Sequence, residues 1–199
     1  MPLMITFTPQ QSLFLFCAYF VAAIPFGVII SNLVAGKDVR EQGSGNTGAA
    51  NVSRLMGKKW GLIVLFLDAL KGYLAVVLAR HFGGVHFENL VAVIAIFAHC
   101  YPVYLGFKGG KGVATALGIV AAISLSTLAI AGLVFLVVLL TTRRVSAASI
   151  TSSLSLPMIA VLHRSPLRIS TACLIALIIC WNHRENAFRL WRNQEPKFF

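Results

Sequence analysis

Lys108 and Lys111 stand in a glycine-rich run, Phe107-Lys108-Gly109-Gly110-Lys111-Gly112, directly before an apolar stretch that starts at Val113. Glycines let backbone N–H groups approach a ligand closely, because no side chain blocks the way. The stretch from Val113 reads as a helix whose N-terminus points at the same place, bringing free N–H groups and the positive end of the helix dipole. Two ammonium groups, backbone donors and that dipole end together describe an anion site, most naturally one for phosphate. The plain structural alternative is a basic turn closing a helical hairpin at a membrane face.

Two more segments carry chemistry. Gly43-Ser44-Gly45-Asn46-Thr47-Gly48 opens a donor-rich stretch that runs through Asn51 to Arg54. It formally matches the dinucleotide fingerprint GxGxxG, but that fingerprint needs a preceding strand, and here an apolar membrane-length run precedes it. A Walker A loop fails on spacing, since Leu105 stands where its first glycine is needed and Gly112 where its Ser or Thr is needed. What remains is a Gly/Asn-rich loop suited to an anion. The third segment is His183-Arg184-Glu185-Asn186-Ala187-Phe188-Arg189, in which His183 and Asn186 share a helical face that Arg189 extends. A solvated amphipathic tail is the alternative there. His99, near the end of an apolar helix, reads as a hydrogen-bonded structural histidine.

The elements that must position these residues are membrane spans. The chain of 199 residues is 58% hydrophobic and only 12% charged, about half the charge of an average soluble domain. Its net charge of +11 is interleaved with apolar runs, which suits juxtamembrane bases facing anionic headgroups and argues against a nucleic-acid partner. The first Lys or Arg is Lys37, so no ordinary signal peptide is expected. Spans are read at Ser12–Ala35 (kinked by Pro25 and Gly27), Gly61–Ala79, Leu90–Leu105, Ala147–Leu162 and Leu167–Asn182. Val113–Thr142 would be about 45 Å long as one helix, too long for the hydrocarbon core, and is divided at Ser124-Leu125-Ser126-Thr127. The expected fold is therefore all-α, with seven transmembrane helices, some of them short. This arrangement puts 13 of the 17 Lys and Arg on one side and leaves Arg80, Arg164 and Arg168 on the other. The basic side is then cytoplasmic, with the N-terminus outside and the C-terminus inside. All three polar segments fall on that cytoplasmic face.

Asp68 and Lys71, inside a span at i and i+3, are expected to form a supporting ion pair. Cys17, Cys100, Cys173 and Cys180 make no CxxC and read as small apolar residues, with neither disulfide nor metal site indicated.

Taken together, GSGNTGAANVSR, AHCYPVYLGFKGGKGVAT and NHRENAFRL resemble the three signature segments of the bacterial acyl-phosphate:glycerol-3-phosphate acyltransferases, over essentially the whole chain. The resemblance implies one membrane-embedded domain over residues 1–199 in the bacterial plasma (inner) membrane, working as a monomer without metal or other cofactor. Its partners would be glycerol 3-phosphate, acyl phosphate and membrane lipids. The implied reaction moves a fatty acyl group to the 1-hydroxyl of glycerol 3-phosphate, giving lysophosphatidic acid, the first acylation step of phospholipid synthesis. Carried over by residue, the resemblance implies catalytic roles for Ser44, Arg54, Lys111, His183 and Asn186. It implies substrate-binding roles for Gly43, Gly45, Asn46, Asn51, Lys108, Gly109 and Gly110. The chain departs from the family pattern at Ala50 (usually Thr), Ala98 (commonly Gly), Tyr104 (usually Phe), Asn182 (often Arg) and Asn193 (Gly).

The chemistry agrees with that resemblance. Two phosphate-bearing substrates place two anions together, and Arg54, Lys108 and Lys111 can offset their repulsion. Acyl phosphate already has a good leaving group, so the protein's task is positioning and charge stabilisation. No His is followed five residues later by Asp, which removes the acid–base dyad of other glycerolphosphate acyltransferases. Either His183 or a substrate phosphate oxygen takes the glycerol proton. The rival functions are a transporter for a phosphorylated solute, for which no internal repeat is found, and a non-catalytic lipid-headgroup scaffold.

Overall fold

The computed structural model describes residues 6–162 and 164–199, and every regular element among them is helical. Helix α1 (Pro9–Ala22) starts at a capping box: Gln11 N donates to Thr8 Oγ1 at 3.2 Å while Thr8 N donates to Gln11 Oε1 at 3.0 Å. The expected kink at Pro25 is a full break, because proline has no N–H to continue the ladder. Helix α2 (Phe26–Ala35) begins after it and stops at Gly36. At the break the Ile24 carbonyl accepts from Phe26 N at 3.2 Å and from Lys71 Nζ at 2.8 Å. A short helix α3 (Ala49–Met56) forms inside the polar segment.

Helix α4 (Lys58–Cys100) contains the second expected span and the first two thirds of the third. The stretch Arg80–Asn89, expected as a polar connection, is helical except at Gly83 and Gly84, where the chain reverses. Pairs centred on those glycines show the two arms lying against each other: Arg80 Nε meets Glu88 Oε2 at 2.5 Å, and Asp68 Oδ1 meets His99 Nδ1 at 3.5 Å. The second arm ends at Cys100, short of the expected Leu105, because Pro102 disfavours helix in the residue before it.

The break expected near Ser124 is present. Helix α5 (Val113–Ile123) and helix α6 (Leu125–Thr142) meet at an extended Ser124, whose hydroxyl accepts from Thr127 N at 3.3 Å. Helices α7 (Val145–Leu162), α8 (Ile169–Asn182) and α9 (Arg184–Trp191) complete the chain.

Among the described residues, four segments are long and apolar enough to cross a membrane: Pro9–Ala35, Lys58–Leu105, Leu125–Thr142 and Val145–Leu162. Val113–Ile123 and Ile169–Asn182 are shorter apolar helices. Large apolar side chains such as Leu13, Phe66, Leu133, Leu140 and Leu177 point outward, the distribution that a lipid solvent rather than water stabilises. The inner core is built of small residues and short aliphatics from α1, α4, α5, α7 and α8. Small residues let helix backbones come close. A Cβ at Gly118 would overlap the Ala69 carbonyl, so α5 rides directly on the first arm of α4. That contact fixes where the glycine-rich run before α5 must lie.

Candidate active site

The first polar segment is built around Asn51. Its Oδ1 accepts from Ser44 N at 3.0 Å, and its Nδ2 donates to the carbonyls of Val39, Asn46 and Gln42 at 3.0, 3.0 and 3.1 Å. A Cβ at Gly43, which has φ +62°, would run into the Asn51 amide. The amide of Asn51 is therefore fully engaged with the loop backbone, and its part is to shape the loop; it presents no donor to a ligand. Asn46 Oδ1 accepts from Gly48 N at 2.9 Å, which turns the chain into α3. Arg54, one turn from the end of α3, lays its guanidinium 5.6 Å from the Phe198 ring centre.

The glycine-rich run is stitched to the end of α4. Gly109 N donates to Cys100 O at 3.0 Å and Gly110 N to His99 O at 3.2 Å. Those two N–H groups, expected from the sequence to face an anion, are satisfied within the chain. Gly109 and Gly110 are instead required for close approach, since a Cβ at 109 would overlap His99 O and one at 110 would overlap the His99 ring. The donors that remain for a ligand are the Lys108 and Lys111 ammonium groups and the N-terminal N–H groups of α5.

The third segment faces this run. Lys111 Nζ donates to Asn186 Oδ1 at 2.5 Å, and Asn186 Nδ2 donates to Glu195 Oε1 at 2.7 Å. Glu195 also accepts from Ser146 Oγ at 2.7 Å and from Arg189 Nε at 2.7 Å. Burial alone would raise the Glu195 carboxyl, but the donors Ser146, Arg189 and Asn186 bring it below its ordinary value. Burial pushes the Lys111 ammonium below its ordinary value, with Glu195 opposing. His183 is buried, and its Nδ1–H donates to the Ile179 carbonyl at 2.9 Å, leaving Nε2 as the open nitrogen of the neutral ring. Burial depresses its pKa to about 4.

Two cavities meet here. One, of about 420 Å³, takes in Ser44, Arg54, Lys111, His183 and Asn186, and continues along Leu62, Leu65, Val113, Phe135 and Leu139. The other, of about 650 Å³, is polar and includes Gly45, Lys108, Gly109, Arg40 and Arg184. Ser44, Asn46, Lys111 and Arg189 line both. All five residues expected to be catalytic thus line one cavity, while Lys108 and Gly109 line its neighbour and Gly43 and Gly110 stand behind the walls. Ala50, where a Thr was the expected pattern, lies on the wall of the first cavity. Sequence reasoning missed Ser146, Glu195 and Phe198. Phe198 N donates to Arg143 O at 2.7 Å, which folds the C-terminal tail across the cavity. A lone acidic residue between Arg192 and Lys197 is the one signal Glu195 could have given. Among the described residues, no three His, Cys, Asp or Glu side chains gather closely enough to hold a metal ion.

Fold and site define a helical integral membrane protein with a cationic pocket opening onto an apolar groove. The family model for glycerol-3-phosphate acyltransferase matches residues 12–193. The glycerol-3-phosphate acyltransferase of Aquifex aeolicus (strain VF5) is 42% identical over 184 residues, covering 91% of this chain and 95% of that one. The enzyme of the same name from Staphylococcus aureus (strain Newman) is 37% identical over 192 residues, covering 92% and 95%. The crystal structure of PlsY (YgiH), an integral membrane glycerol 3-phosphate acyltransferase, in its glycerol 3-phosphate form, superposes with a TM-score of 0.91 at 40% identity, covering 96% of each chain. Its lysophosphatidic acid form gives 0.86 at 38% identity, covering 94% of this chain and 95% of that one. The chain belongs to the glycerol-3-phosphate acyltransferase family, and is an integral membrane acyltransferase.

Proposed function

We propose that the protein transfers a fatty acyl group from acyl phosphate to the 1-hydroxyl of glycerol 3-phosphate, releasing lysophosphatidic acid and inorganic phosphate. The observation that carries this reading is the meeting of an apolar cavity with a polar one across Ser44, Asn46, Lys111 and Arg189. An amphiphilic donor fits the first, with its chain along Leu62, Leu65, Phe135 and Leu139. A small anionic acceptor fits the second, entering past Lys108 and Arg184.

Lys111 and Arg54 then neutralise the phosphates, and the N-terminus of α5 adds donors without reorganisation. A phosphate beside Lys111 also restores the charged form that burial disfavours. The glycerol oxygen attacks the acyl carbon, the bond to phosphate breaks, and the hydroxyl proton passes to a substrate phosphate oxygen, whose P–OH then donates to the open Nε2 of His183. A monomer as the working unit belongs to the same proposal.

The seven-span arrangement belongs to the same proposal: α1 with α2, the two arms of α4, then α5, α6, α7 and α8. The basic end, carrying both cavities, then faces the cytoplasm of a bacterial inner membrane, where it makes phospholipid precursors. Both cavities at one end speak against a transporter, which needs access from each face.

The test is phosphate release by purified protein given palmitoyl phosphate, with and without glycerol 3-phosphate, alongside Lys111→Ala. The expected result is release that depends on glycerol 3-phosphate and falls about 100-fold in the variant, the effect of removing one charge-assisted contact. Folded protein that binds glycerol 3-phosphate but turns nothing over would overturn the reading.

A further inference from the structure

Apart from the Arg80–Glu88 pair beside the reversal, three ionisable side chains gather inside the α4 hairpin, and none of them has a part in the chemistry above. Asp68, Lys71 and His99 are all buried. Charged groups within a span are costly and are retained for a reason. Lys71 Nζ sits 2.8 Å from Asp68 Oδ1 and donates at 2.8 Å to the Ile24 carbonyl at the α1–α2 break. Its ammonium also lies 5.5 Å from the centre of the Phe26 ring. Asp68 Oδ1 in turn faces His99 Nδ1 at 3.5 Å.

The other edge of the imidazole bears on the anion site. His99 Nε2 occupies the place a Cβ of residue 110 would take, and His99 O holds Gly110 N at 3.2 Å. Gly110 has no positive φ, so its backbone would accept an alanine, and the atoms nearest to an added Cβ are all of the His99 ring. The next residue is Lys111, whose ammonium spans to Asn186. Asp68 and His99 also form part of the wall of the same cavity.

We propose that Asp68 and His99 are a positioning pair, in which the carboxylate fixes the imidazole and the imidazole sets the height of Gly110 and hence of the Lys111 ammonium. Sequence spacing hides this pair, because its members come from opposite arms of one hairpin. The inference rests on the acyltransferase reading for its kinetic readout, and a binding measurement separates the two.

The experiment measures KM for glycerol 3-phosphate and kcat with palmitoyl phosphate for wild type, Gly110→Ala, His99→Asn and the double variant. Isothermal titration of glycerol 3-phosphate into each protein runs beside it. Gly110→Ala forces its methyl against the ring and is expected to raise KM about tenfold or more, with kcat within about threefold, because a misplaced binding group weakens binding before chemistry. His99→Asn keeps a donor toward Asp68 but withdraws the ring edge from residue 110. The double variant should therefore bind better than Gly110→Ala alone, a coupling that independent sites do not show. A double variant with the two single effects multiplied, or single variants that keep wild-type KM and affinity, would overturn the pair. If wild type binds glycerol 3-phosphate without turnover, the acyl-transfer reading fails while the titrations still decide the positioning role.

Discussion

His183 and Glu195 divide the electrostatics of the site between them. With its pKa near 4, His183 is neutral at physiological pH in the free protein. If a substrate phosphate takes the proton, the low-pH limb of kcat/KM falls near pH ~6, the second pKa of a phosphate monoester, and it survives in His183→Ala. If His183 is the base, the limb falls near pH 4 and disappears in that variant. The same depression has a stability consequence. The unfolded ring, with its ordinary pKa of 6.5, binds a proton that the folded ring refuses between 6.5 and about 4, so stability drops as pH falls through that window. Melting temperature in detergent should decline from pH 6.5 to 4.5, and decline less in His183→Asn. Glu195→Ala removes the shared acceptor of Ser146, Asn186 and Arg189. It should destabilise by ~2 kcal/mol, as for buried donors left without acceptors. It should also raise KM for glycerol 3-phosphate, because Asn186 loses the bond that orients it toward Lys111. A melt and a KM series check both.

The contact between α4 and α5 places the glycine-rich run against α4, and it rests on glycines chosen for space rather than for backbone freedom. Gly118 touches Ala69 of α4 through its backbone, and Gly72 approaches Thr115 in the same way. Gly118→Ala should cost about 1–3 kcal/mol, the usual penalty for overpacking a close helix pair. It should also weaken glycerol 3-phosphate binding, because moving α5 moves Lys111. Gly132→Ala on α6, where an added Cβ meets nothing within 4 Å, is the matched control and should hold the melting temperature or raise it, since glycine inside a helix costs about 0.5–1 kcal/mol against alanine. Helix α6 bears the apolar side of the groove through Phe135 and Leu139, so acyl-chain preference is expected to respond to substitutions there while glycerol 3-phosphate affinity does not.

At the scale of the whole molecule the polar segments sort to two ends. Gln11 Nε2 reaches Phe82 O at 2.9 Å, and Asn89 Oδ1 accepts from Arg168 N at 3.1 Å. These ties gather the start of α1, the α4 reversal and the start of α8 at the end away from the cavities. With seven spans, a cysteine at Thr8 and one at Lys197 lie on opposite sides of the membrane. In a variant lacking the four native cysteines, an impermeant maleimide added to intact cells should label Thr8→Cys and spare Lys197→Cys. Equal labelling of both would remove the seven-span arrangement.

The sequence by itself determined the class of fold and the three segments that meet. Low charge and long apolar runs allow little but membrane helices. A charge-free run too long for one span must break, and it breaks at Ser124, where a hydroxyl can cap the next helix. The anion-binding character of the three segments was legible from residue type, while the set Ser44, Arg54, Lys111, His183 and Asn186 was implied by the family resemblance of those segments. Other features were set only by tertiary structure. A reversal between Ala79 and Leu90 was expected, but its confinement to Gly83 and Gly84 was hidden because both flanks continue a helical pattern. The engagement of Asn51 with the loop backbone and of the Gly109 and Gly110 N–H groups with α4 could not be read from residue type, since a free donor and a satisfied one have the same sequence. Glu195 reached the site through a tail that sequence leaves unplaced, and Asp68 found His99 across the hairpin. The physical reason is range: hydropathy and capping act within a few residues, whereas Lys111 meets Asn186 across 75 residues of chain, and only packing decides which distant polar groups share one buried space.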